Sequence, residues 1–356
     1  MSYLKITLFS LGLLFLYSCE KKSIFNEIDS TFTLDDFESV EELEGQTIDL
    51  GLLLNPVFLF HHDSLLFVCN SGTSNIIHLY NLHNGQKAGE IIGNGDGPNE
   101  LRSVLNLDFM SNGDFYAFDI ITQQIKTFHL TANDSITVES TASFHPEVPP
   151  ISEPVILHNN HVAAMTVQLS PLGRFYEFDS SGKFLGEKGN YPSYDREIPL
   201  TATADLYRAH SAIRTGKRDR FLLAYRYADL IEIYDDQLNS IKRIQGPHVF
   251  LPDFNLKSRG DGNMYFQPSM KKTKLAFSSV DSNEDYILLL YQGGTFKEEG
   301  IEGIHYSYMV LMDWEGNPVK YYKLNRSIST FCVDWSGKII YGLDQKNEPE
   351  VVKFLF

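Results

Sequence analysis

Short apolar segments alternate with polar turns along most of the chain, and the alternation repeats six times. Each repeat has an apolar strand, a turn, and a second strand rich in β-branched and aromatic residues, which is typical of β-structure. The first strands of the repeats are Leu65–Val68, Phe115–Phe118, Val162–Met165, Phe221–Ala224, Tyr286–Leu290 and Ile339–Gly342. Their partners are Ile76–Tyr80, Ile125–His129, Arg174–Phe178, Leu230–Tyr234, Tyr308–Met312 and Glu350–Leu355.

The first strands begin at residues 65, 115, 162, 221, 286 and 339, so the repeats are 47 to 65 residues apart. A period of this size in an all-β chain predicts a six-bladed β-propeller, here one domain over residues 41–356. The chain stops after the third strand of the last blade. We therefore expect Gln46–Leu50 to supply the missing outer strand and to close the ring.

The first residues predict an exported protein. A basic start at Lys5 and an apolar stretch from Ile6 to Leu16 indicate a signal peptide over residues 1–18, too short for a membrane-spanning helix. Cys19 follows directly, as in a bacterial lipoprotein signal, so we expect Cys19 to carry lipid and residues 19–40 to form a tether. An ordinary signal peptide is the alternative. The predicted location is the cell envelope, periplasmic or at the outer membrane.

Charge and cysteine content narrow the choice of partners. The formal net charge of −16 argues against nucleic acid and against broad electrostatic docking on anionic lipids. The remaining cysteines, Cys69 and Cys332, lie in or beside apolar strands and are predicted to be buried free thiols. Ring closure leaves a disulfide between them as the alternative.

Two segments carry a resemblance to a known family. Gly93–Leu101 resembles the G-x-G-x-G-P-x-E linker of NHL-like and TolB-like six-bladed propellers, and Ala224–Asp235 is similar to a stretch of TolB-like propeller lipoproteins of Bacteroidetes. The resemblance covers residues from about 40 to 356 and implies a binding or scaffold role in the cell envelope. We interpret the glycine run as a structural connector whose glycines allow positive φ and whose Glu100 accepts backbone N–H bonds.

Motifs for metal binding and catalysis are weak. His158 and His161 have a zinc-like spacing but fall in a predicted turn, and Asp281–Asp285 resembles half of a calcium loop but lacks its glycine, so we interpret it as a hairpin turn. No cofactor is predicted, although calcium or another divalent metal held in the central channel by residues of different blades stays open.

The strongest local deviation from the repeat is a basic cluster in blade 4 of an acidic chain. From it we predict a ligand-binding site for an anion or carboxylate, since arginine suits bidentate contacts. Its residues are Arg208, His210, Arg214, Arg226 and Tyr227. The predicted function is non-catalytic binding of a glycan, peptide or protein. The alternative is a propeller enzyme, a lactonase, lyase or hydrolase, with a metal in the channel. Side chains at the channel mouths distinguish the two.

Overall fold

The computed structural model describes residues 25–110, 112–130, 136–144, 148–166, 173–260, 262–296 and 306–356. The strands form six antiparallel sheets arranged as blades around a central channel, so the predicted six-bladed propeller is confirmed. The predicted first and second strands are the second and third strands of their blades. An additional, less apolar strand precedes each pair and lies innermost, next to the channel.

Blades 1 to 3 have four main strands each. In blade 1 these are β4 (Pro56–His62), β5 (Leu65–Asn70), β6 (Asn75–Asn81) and β7 (Lys87–Asn94), with the short β8 (Glu100–Leu101) beside β7. Blade 2 consists of β9 (Asn106–Phe109), β10 (Phe115–Asp119), β11 (Gln124–Leu130) and β12 (Ile136–Ser143). Blade 3 consists of β13 (Ile151–Ile156), β14 (Val162–Thr166), β15 (Phe175–Phe178) and β16 (Phe184–Lys188).

Blades 4 to 6 follow the same order from the channel outward. Blade 4 consists of β17 (Ala209–Ile213), β18 (Arg220–Tyr225), β19 (Leu230–Asp235) and β20 (Ser240–Gln245). Blade 5 consists of β23 (Phe277–Ser282), β24 (Tyr286–Tyr291), β25 (Tyr306–Asp313) and β26 (Pro318–Ile328). Blade 6 consists of β27 (Thr330–Asp334), β28 (Ile339–Asp344) and β29 (Glu350–Leu355), completed by β3 (Gln46–Ile48).

The strand β3 confirms the predicted closure of the ring. It pairs antiparallel with β29, with Ile48 opposite Val351 and Gln46 opposite Lys353. Residues from the two ends of the chain thus share one blade. The pairing removes an open edge that would otherwise expose unsatisfied backbone groups.

The segment before β3 wraps around two more blades. β1 (Ser30–Thr31) adds to β20 of blade 4 and β2 (Val40–Leu43) adds to β26 of blade 5, both parallel. Phe25, Phe32 and Phe37 of this segment are buried. The described part of the predicted tether, residues 25–40, is therefore packed against the propeller, because its phenylalanines bury apolar area there. The predicted signal peptide and Cys19 lie outside the described residues.

Three glycines mark the contact between neighbouring blades. Gly85, Gly182 and Gly316 occupy the turns between third and fourth strands, with φ of 68°, 89° and 77°. A Cβ at Gly85 would lie 2.9 Å from the carbonyl oxygen of Asp49, and one at Gly182 would overlap that of Ser143. These turns need glycine for the left-handed backbone and for the close approach of the preceding blade.

A buried polar network in blade 4 also contacts the segment before β1. The carboxylate of Glu232, which is fully buried, accepts hydrogen bonds from the hydroxyls of Tyr225 and Tyr234 and from Arg243 Nε at 2.7 Å. Arg243 Nη1 also donates to the carbonyl of Asn26, in the segment before β1, at 3.1 Å. Every charge in this network has a partner, as burial requires.

The two cysteines are free and buried, as predicted. Burial raises the pKa of both the Cys69 and the Cys332 thiol, so neither forms a reactive thiolate at neutral pH.

The ends of the ring differ in their loops. At one end, the hairpin face, each innermost strand turns into the second strand. At the other end, the connector face, each outermost strand connects to the next blade. The connector face also carries the helix α1 (Leu200–Leu206) and a hairpin of β21 (Phe254–Ser258) and β22 (Met264–Pro268). Among the described residues, no helix has the length and hydropathy needed to cross a bilayer.

Candidate functional site

The candidate site is the central channel, which holds a cavity of about 490 Å³. The innermost strands of all six blades line it: β4, β9, β13, β17, β23 and β27. Each strand contributes only a few residues, so the site has no continuous sequence motif. A concave cavity lined by aromatic and polar side chains from several elements is the usual form of a small-ligand site.

Acidic residues dominate the lining of this channel. Five carboxylates line the cavity, together with three histidines, whereas no described lysine or arginine lines it. The carboxylates belong to Asp63, Asp108, Glu153, Asp281 and Asp334. Asp108 is paired with Arg218, whose Nη1 lies 2.9 Å from its Oδ2. Asp63, by contrast, is exposed at the rim. The channel therefore favours cationic groups over anionic ones.

Asp281 of β23 is the most strongly desolvated of these carboxylates. Its Oδ1 accepts a hydrogen bond from Trp335 Nε1 at 3.0 Å and its Oδ2 accepts one from the Val333 backbone N–H at 2.8 Å. Burial raises the pKa of Asp281 to about 6, although these hydrogen bonds act in the opposite direction. At neutral pH the Asp281 carboxylate is therefore charged. Its two hydrogen-bond donors are neutral, and none of the described residues that line the channel is a lysine or an arginine.

Glu153 of β13 enters the channel from a distorted strand. Its φ is +48°, and the pairing of β13 with β14 shifts register between Ser152 and Val155. Its Oε2 accepts hydrogen bonds from the backbone N–H and the hydroxyl of Ser211, at 3.1 and 3.2 Å. A non-glycine residue held at positive φ costs free energy, and such residues cluster at functional sites, where bulges direct a side chain.

Histidines and aromatic rings form the remaining wall at the hairpin face. His62 stacks on Phe109 with ring centroids 4.1 Å apart, and His61 stacks on Tyr341 at 5.6 Å. Burial lowers the pKa of His61, although the nearby Asp334 acts in the opposite direction. His61 is therefore neutral at physiological pH and does not compensate the carboxylates.

The arrangement does not form a recognisable catalytic or metal centre. Over the part of the chain that the structure describes, no three His, Cys, Asp or Glu side chains are grouped to hold a metal ion. Ser211, His210 and Glu153 are neighbours, but the Ser211 hydroxyl donates to Glu153, and His210 Nδ1 lies 3.6 Å from the same carboxylate. A serine nucleophile needs its base at hydrogen-bonding distance, so this set is not a triad.

The five predicted site residues do not come together. Arg208, Arg226 and Tyr227 lie at the connector face, where Arg208 pairs with Asp205 and Tyr227 packs under Phe266 of the extra hairpin. Arg214 lies at the opposite end of β17 and donates to the carbonyl of Glu284 at 2.7 Å. His210 alone lines the channel.

The other basic residues of the cluster connect blade 4 to its neighbours. Arg218 donates to the carbonyl of Ile156 in blade 3 at 2.7 Å, and Lys217 pairs with Glu284 of blade 5 at 2.9 Å. Arg220 donates to the carbonyl of Trp314 in blade 5 at 3.2 Å. These three basic residues therefore serve contacts between blades.

Sequence reasoning missed Glu153 and Trp335 as channel residues, and assigned Asp281 to a turn. The predicted hairpin turn is present. The Asn283 side chain caps it by accepting hydrogen bonds from the N–H groups of Asp285 and Tyr286. His158 and His161 have separate partners, the Lys217 carbonyl and Glu177. In blade 5 the sequence also departs from the repeat at residues 293–303, but this stretch lies partly outside the described residues.

The glycine-rich linker is a connector in which Glu100 accepts a backbone N–H, as predicted, but the predicted positive φ of its glycines is not observed. Glu100 Oε2 accepts the Gly97 N–H at 2.8 Å, and Lys126 Nζ donates to the carbonyls of Gly97 and Glu100 at 2.9 and 2.7 Å. Gly93, Gly95 and Gly97 do not adopt positive φ. A Cβ at Gly95 or Gly97 would instead overlap the Glu100 carboxylate, so close approach explains these two glycines.

Six four-stranded blades around a narrow acidic channel define a six-bladed β-propeller. The chain belongs to the TolB-like 6-blade propeller-like family, whose profile matches residues 36–336. No curated protein matches the sequence.

Among the solved structures that are similar to this chain, one has a TM-score above 0.5, and it supports the fold alone. A member of the DUF4221 family from Bacteroides vulgatus is 12% identical, with a TM-score of 0.54 over 89% of this chain and 97% of that one. Raptor from Chaetomium thermophilum is 10% identical, with a TM-score of 0.48 over 88% of this chain and 29% of that one. The Cps50 (Swd1) propeller domain of Myceliophteria thermophila is 8% identical, with a TM-score of 0.47 over 87% and 99%.

Proposed function

We propose that the protein is a lipid-anchored protein of the bacterial cell envelope that binds, without catalysis, a ligand presenting a protonated amine or guanidinium group in the central channel. The observation that carries this proposal is the lining of the channel by five carboxylates and no described lysine or arginine. The cationic group could belong to a peptide, a protein or an amino sugar. This replaces the anion pocket expected from the blade 4 arginines.

The chemistry of the lining supports a cationic group. Asp281 and Glu153 are held by neutral donors, so an incoming cation gains a charge-assisted contact with each of them. Phe58, Phe109 and Trp335 also line the channel, and aromatic faces attract ammonium and guanidinium groups. The surrounding low dielectric strengthens both contacts relative to water.

Trp335 provides a direct measurement of binding. The chain has two tryptophans, and the other one, Trp314, is fully buried away from the channel with its indole N–H on the Asn283 carbonyl. In the variant Trp314→Phe, fluorescence therefore reports on the channel alone. Ligand pairs that differ in charge at one nitrogen are the probes: lysine against Nε-acetyllysine, and glucosamine against N-acetylglucosamine.

We expect saturable quenching or a spectral shift with the cationic member of at least one pair, at a dissociation constant of about 1 mM or tighter. Asp281→Asn in the same background should weaken this binding on the order of tenfold. Arg208→Ala is the matched control and should leave it unchanged. Equal responses to both members of each pair, or saturation by neither, would contradict the cationic specificity.

The anchor is tested separately. The protein extracted from the membrane fraction of its host should carry the mass of a lipid on a chain that starts at Cys19. A Cys19→Ser variant should lack this mass and appear in the soluble fraction. An unmodified chain cleaved elsewhere would contradict lipidation while leaving the channel proposal intact.

A further inference from the structure

The connection between blades 4 and 5 is the longest departure from the blade repeat. It extends from residue 246 to residue 276 and contains the hairpin of β21 and β22, whereas the connection between blades 5 and 6 is Ser329 alone. Helix α1 braces the hairpin, since the Thr201 hydroxyl donates to the Met264 carbonyl at 2.6 Å. An ordered insertion of this kind, held on a rigid scaffold, is a common location for a binding surface.

The hairpin has one apolar face and one polar face. Phe254 and Phe266 are buried in the core, with ring centroids 5.3 Å apart, and Phe266 also packs on Tyr227 of blade 4. Side chains alternate between the two faces of a strand, so the residues next to these phenylalanines point away from the core. The outward side chains form two cross-strand pairs, Asn255 with Gln267 and Lys257 with Tyr265.

The outer face of the hairpin is basic. Arg259 directly follows β21, and its guanidinium carbon lies 5.6 Å from the ring centroid of Tyr265. Neither strand contains an aspartate or a glutamate, and the loop after β22 adds the exposed Lys271 and Lys272. Among the described residues, neither these two lysines nor Lys257 and Arg259 form an ion pair, whereas several basic residues of blade 4 do. Their charges are therefore available to a partner.

The combination of side chains on this face fits a sugar chain that carries carboxylates. Guanidinium and ammonium groups bind carboxylates through charge-assisted hydrogen bonds, and Lys257 and Arg259 lie roughly 7 Å apart along the strand, so they can bind different carboxylates of one polymer. The half-buried Tyr265 adds an aromatic ring beside these cations.

The two amides on the same face distinguish a sugar chain from a simple polyanion. Asn255 and Gln267 each carry donors and an acceptor, which suits the hydroxyl groups of a sugar. An acidic peptide would use the cations alone. The aromatic ring and the amides therefore favour a polysaccharide.

We propose that the outer face of the hairpin of β21 and β22 is a second binding surface, for an acidic polysaccharide, in which Lys257 and Arg259 bind carboxylates and Tyr265 contacts a sugar ring. The proposal does not depend on the proposed function, because none of these residues lines the channel and the charge preference is opposite. The formal net charge of −16 repels a polyanion from the chain as a whole and so restricts its binding to a basic face.

Fragments of polygalacturonate and of hyaluronate are the probes, each compared with its methyl ester. Esterification keeps the sugar chain and removes its charge, so the difference between acid and ester measures the contribution of the carboxylates. Polyglutamate represents an acidic peptide. Isothermal titration calorimetry with the purified protein measures each dissociation constant.

Three variants separate charge from sugar recognition. Lys257→Glu combined with Arg259→Glu reverses two exposed charges of the hairpin, and melting temperatures verify that the variant is folded. Lys338→Glu combined with Lys346→Glu is the matched control, with the same change of net charge at two exposed lysines of blade 6. Tyr265→Ala removes the aromatic ring and leaves both cations in place.

We expect at least one of the two polysaccharides to bind with a dissociation constant of about 1 mM or tighter, and its ester to bind at least about tenfold more weakly. The double reversal in the hairpin should weaken this binding at least about tenfold, and the double reversal in blade 6 by less than about twofold. Tyr265→Ala should weaken polysaccharide binding about fivefold and leave any binding of polyglutamate unchanged.

Saturation by neither polysaccharide would overturn the proposal, as would equal binding of acid and ester. Equal losses in the two double variants would also overturn it, because they would show an effect of net charge alone. Polyglutamate that binds as tightly as the polysaccharides, with no effect of Tyr265→Ala on either, would assign the face to an acidic peptide instead.

Discussion

Two regions of this propeller hold fully or partly buried carboxylates in different ways. In the interior of blade 4, Glu232 accepts hydrogen bonds from two tyrosine hydroxyls and one arginine. In the channel, Asp281 and Glu153 accept only neutral donors, and one of them sits on a strained backbone. A buried charge with all its partners serves stability, whereas one without a counter-charge is available to a ligand.

The comparison also explains the arginines of blade 4. Their number in an acidic chain suggested a binding site, but Arg218 and Arg220 each contact a neighbouring blade. The carboxylates of the channel are spread over five innermost strands or their ends, so no local excess of acidic residues marks them in the sequence. The arginines that are close together in the sequence thus make structural contacts. The carboxylates that form the candidate site are far apart in the sequence, so no local motif revealed them.

The largest expected effect is at Glu232 in the buried network of blade 4. Glu232→Ala leaves Arg243 buried without its carboxylate, so we expect a loss of about 3–5 kcal/mol in the free energy of unfolding, measured by urea denaturation. Glu27→Ala is the matched control, because Glu27 contacts the same Arg243 but its side chain is 87% exposed. The control should cost less than about 0.5 kcal/mol. Equal losses for both variants would break the comparison.

The second effect is the pH dependence caused by Asp281. Its pKa in the folded protein, about 6, is raised above the value of about 3.9 in an unfolded chain. The stability contributed by the neutral carboxyl is fully present well below pH 4 and is lost as the pH rises through 6, by about 3 kcal/mol in total. Asp281→Asn should remove this loss.

Urea denaturation between pH 4.5 and 7.5 measures the Asp281 effect. The stability of Asp281→Asn relative to the unmodified protein should increase as the pH rises over that range. Using the difference between the two proteins cancels the titration of other groups, such as the buried Asp229, whose pKa is raised to about 7 by burial. A difference that stays constant with pH would show that Asp281 is not desolvated.

A smaller effect is expected at Glu153. Glu153→Gly removes the strain of positive φ, worth about 1 kcal/mol, and also the hydrogen bonds with Ser211, worth a similar amount. The free energy of unfolding should therefore change by less than about 1 kcal/mol. Ser211→Ala, the control, loses a hydroxyl donor without relieving strain and should cost about 1 kcal/mol. A loss above about 2 kcal/mol for Glu153→Gly would make Glu153 a structural residue like Glu232.

The smallest effect is expected at Arg208, one of the residues predicted to bind ligand. Its ion pair with Asp205 is exposed on the arginine side by 57%, so Arg208→Ala should cost less than about 0.5 kcal/mol. The melting temperature should fall by no more than about 2 °C. A larger shift in melting temperature, or a change in the binding of cationic probes, would indicate that Arg208 and the connector face of blade 4 take part in ligand binding.

Different features of the fold were accessible to sequence analysis to different degrees. The strands Leu65–Asn70 and Tyr286–Tyr291 are long and apolar, so their type and spacing were readable, and the closure by Gln46–Ile48 followed from counting strands. The innermost strands were not recognised, because residues such as His210 and Ser211 face a channel and interrupt the apolar pattern. The packing of residues 25–40 was missed because β1 and β2 are two and four residues long and depend on neighbours far away in the chain.

The sequence by itself determined the number of blades, the closure of the ring and the buried state of the thiols, because each follows from the local alternation of polar and apolar residues and its period. Only the tertiary structure decided which charges face each other. It placed Arg208 and Arg214 at opposite ends of one strand and brought Glu153, Asp281 and Trp335 into one channel. Contacts between residues far apart in the chain depend on the ring geometry, which no local pattern encodes.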